Sequence, residues 1–386
     1  MNLRQLWPAA VVVVVFAWSC RDGVPPFTPP ELEYGERITF GLGEDRDPRW
    51  TVNGDSLIYH TNDYGALPGN GVLLKISARG GTAVPLMEDI QRALNRMLAV
   101  PVPSPDGRNV AYLDLIRVDQ AVSCIDSANM PPNADCTNTQ PLLDSAALRV
   151  RRLDAQQPPL ADPAVGIKLA GTDPLYRTAG SDTYVMQALP FQQQYRRLRA
   201  VLLRPSWAPD NQRIVFSNGS QLFMWRVGEA SAVPLAGTED AVSPAWQPTA
   251  DVIAFTQLVR GDSAEIRCTC VQPGSSGPVP ALSLHRRMTY TVSSARIVLM
   301  SVDGRSRVDI GEGQDPAWSP DGRSLYVVRN DQIVRIDPAS AGAAATPIPN
   351  TQGGRYPAVS PDGKRLAFAR PQLRNDYDIW VIDLPQ

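Results

Sequence analysis

The stretch DPAWSPDGRSLYV, residues 315–327, decides the fold because it recurs along the chain. It returns as YPAVSPDGKRLAF at 356–368 and as PSPDGRNVAY at 103–112. Weaker copies are PSWAPDN at 205–211, PAWQPTA at 244–250 and PRWTVNG at 48–54. Six copies of one motif predict a protein built from repeated structural units.

Each copy has the pattern of a strand, a tight turn and a second strand. Pro-Asp-Gly suits the turn, because Pro fixes φ at the first corner and Gly accepts a positive φ. An alternating strand, a third strand and a Pro-containing edge strand follow, and four antiparallel strands in about 40 residues predict a propeller blade. The inward residues of the first strand are Trp50, Val102, Trp207, Trp246, Trp318 and Val359, and the clearest turn residues are Asp106, Gly107, Asp321, Gly322, Asp362 and Gly363.

The Trp-Ser-Pro-Asp-Gly-Arg type of repeat resembles the TolB family of β-propellers. This resemblance covers nearly all of the chain after its first 35 residues, and it implies an all-β, six-bladed propeller. The sixth copy ends after its third strand, while an orphan strand, 37–40, precedes the first copy. We expect this N-terminal strand to close the last blade, which hides its edge. A seventh, degenerate blade within 172–200 is the alternative.

The N-terminal residues have the pattern of an export signal. Arg4 precedes an apolar run from Pro8 to Trp18, which is too short to span a membrane comfortably. The run ends at Ser19-Cys20, which resembles a bacterial lipobox, so we predict a signal peptide at 1–19 and lipidation of Cys20. A Pro-rich tether at 20–35 then leads to the propeller domain at 36–386. The predicted location is the bacterial envelope, in the periplasm or at the outer membrane.

Three insertions interrupt the regular repeat, near 119–146, 172–203 and 260–294. By propeller topology, the two insertions that contain cysteines project from one face, opposite the Pro-Asp-Gly turns. In an exported protein the four cysteines are disulfide candidates: Cys124, Cys136, Cys268 and Cys270. We favour Cys124–Cys136, whose loop closure contributes about 3 kcal/mol in the chain-entropy model. Pairing between the two insertions is the alternative.

Motifs for catalysis, cofactors and metals are not found in the sequence. It has no Gly-x-Ser-x-Gly elbow, no P-loop and no dinucleotide fingerprint. Its two histidines, His60 and His285, are scattered, whereas propeller lyases of the oligogalacturonate type resemble this repeat but draw on several histidines. We therefore predict no cofactor, no metal site, no catalytic residue and no enzyme activity. The net charge of −2 gives no reason to expect nucleic acid as a partner.

A few polar residues admit both a structural and a functional interpretation. Asp47 and Asp315 precede the inner strands and suit calcium, but capping of the turn by each Asp is the favoured interpretation. The run Arg196, Arg197, Arg199 and Arg204 suits an anionic partner, although one solvated face is the favoured interpretation. Within the third insertion, His285, Arg286 and Arg287 form a candidate binding face.

These observations predict a monomeric protein-binding scaffold, tethered to the membrane by its N-terminal lipid. The resemblance to the TolB family implies an envelope protein or peptide as its partner. The alternative is a propeller that binds carbohydrate or another small ligand, and that acts as a lyase-type enzyme at its central channel.

Overall fold

Six blades of four antiparallel strands follow one another along the chain in the computed structural model, the fourth with an additional parallel strand, which confirms the predicted six-bladed, all-β propeller. The inner strands of neighbouring blades contact one another all the way round, so the ring is closed. The structure describes residues 35–41, 43–62, 71–86, 96–118, 142–153, 165–168, 184–185, 204–218, 221–268, 285–339, 345–372 and 377–385. Within these ranges, no helix is long and apolar enough to cross a membrane.

The strands are numbered in chain order, and each blade lists them from the inner strand outward. Blade 1 comprises β2 Arg46–Trp50, β3 Ser56–Thr61, β4 Val72–Ser77 and β5 Val84–Pro85. Blade 2 comprises β6 Arg96–Pro103, β7 Asn109–Val118, β8 Leu142–Arg152 and β9 Val165–Lys168. Blade 3 comprises β11 Ser206–Trp207, β12 Arg213–Ser217, β13 Leu222–Arg226 and β14 Val233–Pro234.

The second half of the ring has the same plan. Blade 4 comprises β15 Ala241–Trp246, β16 Val252–Cys268, β17 His285–Ser301 and β18 Arg307–Glu312. Blade 5 comprises β19 Gln314–Trp318, β20 Leu325–Arg329, β21 Gln332–Ile336 and β22 Thr346–Pro347. Blade 6 comprises β23 Arg355–Val359, β24 Arg365–Pro371, β25 Tyr377–Asp383 and the N-terminal strand β1 Glu36–Arg37.

The N-terminal strand closes blade 6, as predicted, although its bounds differ from the expected 37–40. Glu36 pairs with Val381 and Arg37 with Trp380. The chain leaves the ladder after Arg37, but Ile38 still donates a backbone hydrogen bond to Ile379 and is fully buried. The closure therefore combines one short strand, the buried side chain of Ile38, a hydrogen bond from Ile379 N–H to Thr39 Oγ1 at 2.9 Å and an ion pair between Arg37 and Asp378 at 2.7 Å.

The Pro-Asp-Gly turns between the first two strands of a blade have the expected geometry. Gly107 and Gly322 have φ values of 71° and 70°, which an L side chain rarely adopts. The hydroxyl of Ser104 donates to Asp106 Oδ1 at 2.6 Å, and the backbone N–H of Arg108 donates to the same oxygen at 3.0 Å. The Asp side chain thus holds the turn closed, as its position after Pro indicates.

Apolar clusters lie between neighbouring blades, and the Trp that recurs at one position of the motif belongs to them. Trp50, Trp207, Trp246 and Trp318 are all buried, each against the preceding blade. Three of these indoles donate to a carbonyl of the preceding inner strand: Trp50 to Ala358, Trp207 to Val102 and Trp318 to Ala245, at 2.9–3.0 Å. The blades are therefore joined by hydrogen bonds as well as by packing.

Blade 2 departs from the predicted alignment by one residue. Pro103 pairs with Val110 just as Trp50 pairs with Leu57, so Pro103 occupies the position that we predicted for Val102. The misalignment arose because blade 2 has no aromatic residue there to mark the position.

Two of the predicted insertions extend regular hairpins. In blade 4, β16 and β17 remain paired from Val252 and Ser301 out to Cys268 and His285. The short strand β10, Tyr184–Val185, comes from the insertion before blade 3 and pairs with β17 in parallel. The described parts of the third insertion, up to Cys268 and again from His285, are therefore strands of blade 4. Residues 184–185 of the second insertion lie beside them.

Candidate functional site

The residue that precedes Pro on each inner strand lies at the central channel. These six residues, one from each blade, form what we call the channel ring: Asp47, Val100, Arg204, Ser243, Asp315 and Tyr356. All six are buried, with at most 7% of the surface exposed. The ring is therefore a solid layer across the channel, built from one sequence position of the repeat.

Five of the six ring residues have a left-handed backbone although none is glycine. Their φ values lie between 49° and 56°, at Asp47, Val100, Ser243, Asp315 and Tyr356. The inner strand is out of register with its partner at each of these positions, which is the signature of a β-bulge. Bulges bend the strand and re-aim side chains, so residues from different blades meet at the channel.

Arg204 links four blades at the centre of this ring. Its Nε donates to Asp47 Oδ1 at 2.7 Å and its Nη2 donates to the same oxygen. Its Nη1 lies 3.9 Å from Asp315 Oδ1, and its guanidinium carbon lies 4.8 Å from the centre of the Tyr356 ring. We call these four residues the Arg204 plug, because all four are buried and Arg204 contacts the other three across the channel.

The plug is an ionic cluster whose charges depend on burial and on each other. Burial is the largest single influence on Asp47 and acts to raise its pKa, but the neighbouring positive charges, Arg204 first, together with the hydrogen bond from Arg204, lower this pKa overall. Burial raises the pKa of Asp315 despite Arg204, which is farther away. Burial acts to lower the pKa of Arg204, but the two carboxylates raise it. The pair Arg204–Asp47 therefore carries the ionic interaction.

His60 lies beside the plug as a neutral side chain. Its Nδ1 is 3.7 Å from Asp47 Oδ2, and neither atom has a hydrogen-bond partner within the described ranges. Burial lowers the pKa of His60 to about 4, which the negative charge of Asp47 only partly offsets. At neutral pH the imidazole of His60 is therefore uncharged and contributes no positive charge to the plug.

A cavity of about 350 Å³ lies beyond the plug, where the inner strands run toward the Pro-Asp-Gly turns. We call it the funnel. All six blades contribute to its wall, which includes indoles, prolines and the residue two places after each ring residue. These last residues are Arg49, Val102, Ser206, Ala245, Ala317 and Ala358. The wall is therefore mostly apolar, and at this one position of the repeat it carries small or medium-sized side chains in five blades and an arginine in the remaining blade.

Arg49 is this arginine. It is partly exposed, but its Nε is buried and has no hydrogen-bond partner among the residues that the structure describes. Burial and the positive charge of Arg204 lower the pKa of Arg49 to about 9, so it remains protonated at neutral pH. A guanidinium whose Nε is unbonded, and which the carboxylates of Asp47 and Asp315 influence only through their charge, thus lines a mostly apolar funnel.

The predicted site residues fall into two groups. The four Trp residues lie at the funnel, and the six turn residues lie where the motif places them. Cys268 and His285 are backbone partners at the ends of β16 and β17, and Arg286 and Arg287 pair with Arg267 and Ile266. The side chains of these residues, and all of Cys20, Cys124, Cys136 and Cys270, lie outside the described residues.

Two sequence-based interpretations need correction. Asp47 and Asp315 are fully or largely buried at the channel and face Arg204, so they do more than cap a turn. Arg204 is 1% exposed, so it belongs neither to a solvated face nor to a surface for anions. The sequence signal for the channel ring was the residue before Pro at one position of every repeat, and it was not recognised.

In the described part of the chain, no group of three or more His, Cys, Asp or Glu could hold a metal ion.

Comparison with known proteins supports likeness of fold only. No family model and no curated protein matches the chain. Among solved structures, TolB from Acinetobacter baumannii is 12% identical with a TM-score of 0.44, and the match covers 82% of this chain and 57% of that one. A putative TolB from Agrobacterium tumefaciens is 13% identical with a TM-score of 0.42, covering 90% and 92%. The chain thus spans little more than half of the Acinetobacter protein.

Oligogalacturonate lyase from Vibrio parahaemolyticus is also similar, at 9% identity and a TM-score of 0.45, covering 91% of this chain and 93% of that one. An oligogalacturonate lyase in complex with manganese is 11% identical. The prediction that the chain is not an enzyme is contradicted by this similarity, because enzymes also use this propeller fold. The chain is a six-bladed β-propeller, similar in fold to TolB proteins and to oligogalacturonate lyases.

Proposed function

We propose that this chain is an exported binding scaffold of the bacterial cell envelope, whose partner protein inserts an extended segment into the funnel. The observation that carries this proposal is the shape of the channel. The Arg204 plug fills it at one level, and the funnel opens beside the plug toward the turns. A channel that is blocked in this way is suited to receive a segment at its open end.

The wall of the funnel supports a binding role. Its volume of about 350 Å³ lies within the usual range of ligand sites, roughly 300–1,000 Å³. All four of its indoles are fixed by packing, and three of them also by hydrogen bonds to the neighbouring blade, so the wall is formed before a partner arrives. A preformed wall reduces the entropy that binding must offset.

The N-terminal sequence supports the proposed envelope location. The leader at 1–19 supports export, and Cys20 supports attachment by a lipid. The tether at 20–35 would let the propeller reach a partner near the membrane. The candidate binding face at 285–287 belongs to the far end of the blade 4 hairpin, away from the turns, and remains a separate prediction.

Capture from native membranes tests the proposal and separates the two surfaces. The bait is the native chain, the funnel variant Ala245→Trp, or a chain without residues 262–292. Val233→Trp is the matched control, because Val233 lies on an outer strand and is 57% exposed. We expect one envelope protein to be captured by all baits except Ala245→Trp. Capture that survives Ala245→Trp and fails without 262–292 would place docking at the hairpin and overturn the funnel proposal.

A second candidate function is the binding of a carbohydrate or other small ligand in the funnel, with lyase-type catalysis as one form of it. The four indoles around one small cavity favour this candidate, since aromatic side chains are common in ligand sites. Titration of the native chain and of Ala245→Trp with oligosaccharides tests it. Saturable binding that Ala245→Trp removes, with or without cleavage of the sugar, would establish it over the scaffold.

A further inference from the structure

We propose that the funnel recognises the C-terminal carboxylate of the inserted segment, and that the guanidinium of Arg49 binds this carboxylate. The inference rests on the proposed function and names the chemistry of its ligand. It concerns one end of a peptide with apolar side chains, seated in the funnel with its carboxylate toward the plug.

The first support is that Arg49 breaks the pattern of the wall. At the five equivalent positions the residues are Val102, Ser206, Ala245, Ala317 and Ala358. Packing of the blades therefore does not require a long side chain at this position. The small residues opposite Arg49 leave room beside its guanidinium for a ligand group.

The second support is the charge around Arg49. Arg204 takes both hydrogen bonds to Asp47 Oδ1, and no described residue bonds to Arg49 Nε. Burial and then the positive charge of Arg204 lower the pKa of Arg49. The carboxylates of Asp47 and Asp315 offset this only in part, so the guanidinium is not fully neutralised by its neighbours. A carboxylate would complete this neutralisation and match the planar guanidinium with two parallel hydrogen bonds.

The third support is that a chain end, and not a passing strand, fits the geometry. The Arg204 plug fills the channel, so an extended segment that enters from the turn side has to stop there. Arg49 is adjacent to the plug in sequence and lines the same cavity as the indoles. A terminal carboxylate can reach it while the preceding side chains contact the apolar wall, a known mode of peptide capture.

The test uses mixtures of N-acetylated tripeptides with apolar side chains, made with free carboxylates and again as C-terminal amides. Each mixture is passed over immobilised protein, and mass spectrometry gives the retained fraction. The baits are the native chain, Arg49→Met, Arg49→Lys and the control Arg305→Met. Arg305 is on a turn of blade 4, and its side chain is 88% exposed outside the funnel. Thermal unfolding establishes that every variant is folded.

We expect the native chain and Arg305→Met to retain the free acids at least about tenfold better than the amides. Arg49→Met should lose this preference, and Arg49→Lys should keep part of it because the charge remains. Equal retention of acids and amides would overturn carboxylate recognition while leaving peptide docking intact. Retention of neither mixture would count against docking itself. Displacement of the peptides by an equal concentration of galacturonate would assign the site to sugar acids and overturn the peptide assignment.

Discussion

At the scale of single residues, the channel depends on one guanidinium. We predict that Arg204→Met lowers the free energy of unfolding by about 3–5 kcal/mol, because it leaves the carboxylate of Asp47 buried without a cation. Urea denaturation measures this change. The control is Arg226→Met, whose side chain is 55% exposed and 3.9 Å from Glu229, and which should cost less than about 1 kcal/mol.

A double variant separates the charge from the packing. Adding Asp47→Asn to Arg204→Met removes the unpaired charge and should recover a large part of the lost stability. Equal losses in the single and double variants would mean that Arg204 acts by filling space. A loss no larger than that of Arg226→Met would contradict the plug altogether.

Two buried groups make the free energy of unfolding depend on pH in opposite directions. Burial raises the pKa of Asp45 to about 6, although hydrogen bonds from Thr39 and Thr61 lower it in part. The folded protein then binds this proton more tightly than the unfolded chain does, so Asp45 costs stability as the pH rises from about 4 to about 6. The pKa of His60 is lowered to about 4, so His60 costs stability as the pH falls from about 6.5 to about 4.

Single variants should expose each effect. Relative to the native chain, Asp45→Asn should become more stable as the pH rises from 4 to 6, by about 3 kcal/mol at most. His60→Gln should instead gain relative stability as the pH falls over the same window, by a similar amount. Urea denaturation at several pH values measures both differences. If the stability difference between a variant and the native chain does not change with pH, the shifted pKa of that group is contradicted.

Residue roles were the hardest part to predict from sequence. The turn residues followed from local chemistry, since Pro, Asp and Gly each have a defined place in a tight turn. Arg204 did not, because its partners Asp47 and Asp315 are 157 and 111 positions away in the chain and meet it only when the ring is closed. Arg49 was equally hidden, since its significance lies in the smallness of the five residues that replace it in other blades.

At the scale of elements, the N-terminal segment is the point where the ring closes. We predict that Ile38→Ala lowers the free energy of unfolding by about 2–5 kcal/mol, because Ile38 is 1% exposed in the cluster between blades 6 and 1. Chemical denaturation measures this loss. Phe40→Ala is the control: Phe40 is 72% exposed and should change stability by less than about 1 kcal/mol. Similar effects of both variants would contradict closure by this segment.

The elements themselves were predictable where the repeat is regular. The turn and the alternation of each copy place strands such as β20 and β24 without any tertiary information. Extension of β16 and β17 out to Cys268 and His285 was not predicted, because composition alone gave no strand signal there. The pairing of β17 with β10, which comes from a distant insertion, leaves no local mark in the sequence.

At the scale of the whole molecule, the six blades create a site that no single blade contains. The plug needs blades 1, 3, 5 and 6, and the funnel takes part of its wall from every blade. The repeat predicted the ring and its closure. It did not predict the site, because the ring positions carry different residues in each blade while the sequence motif records only what the blades share.

The measurement that tests the proposed function most directly is site-specific photo-crosslinking in living cells. A benzophenone amino acid replaces Val52, which lies at the rim of the funnel, or Val233 on the outer strand of blade 3 as a control. The account predicts that the Val52 probe joins one segment of one envelope protein, identified by mass spectrometry, and that the Val233 probe does not. No adduct at Val52, or the same adducts at both positions, would contradict docking in the funnel.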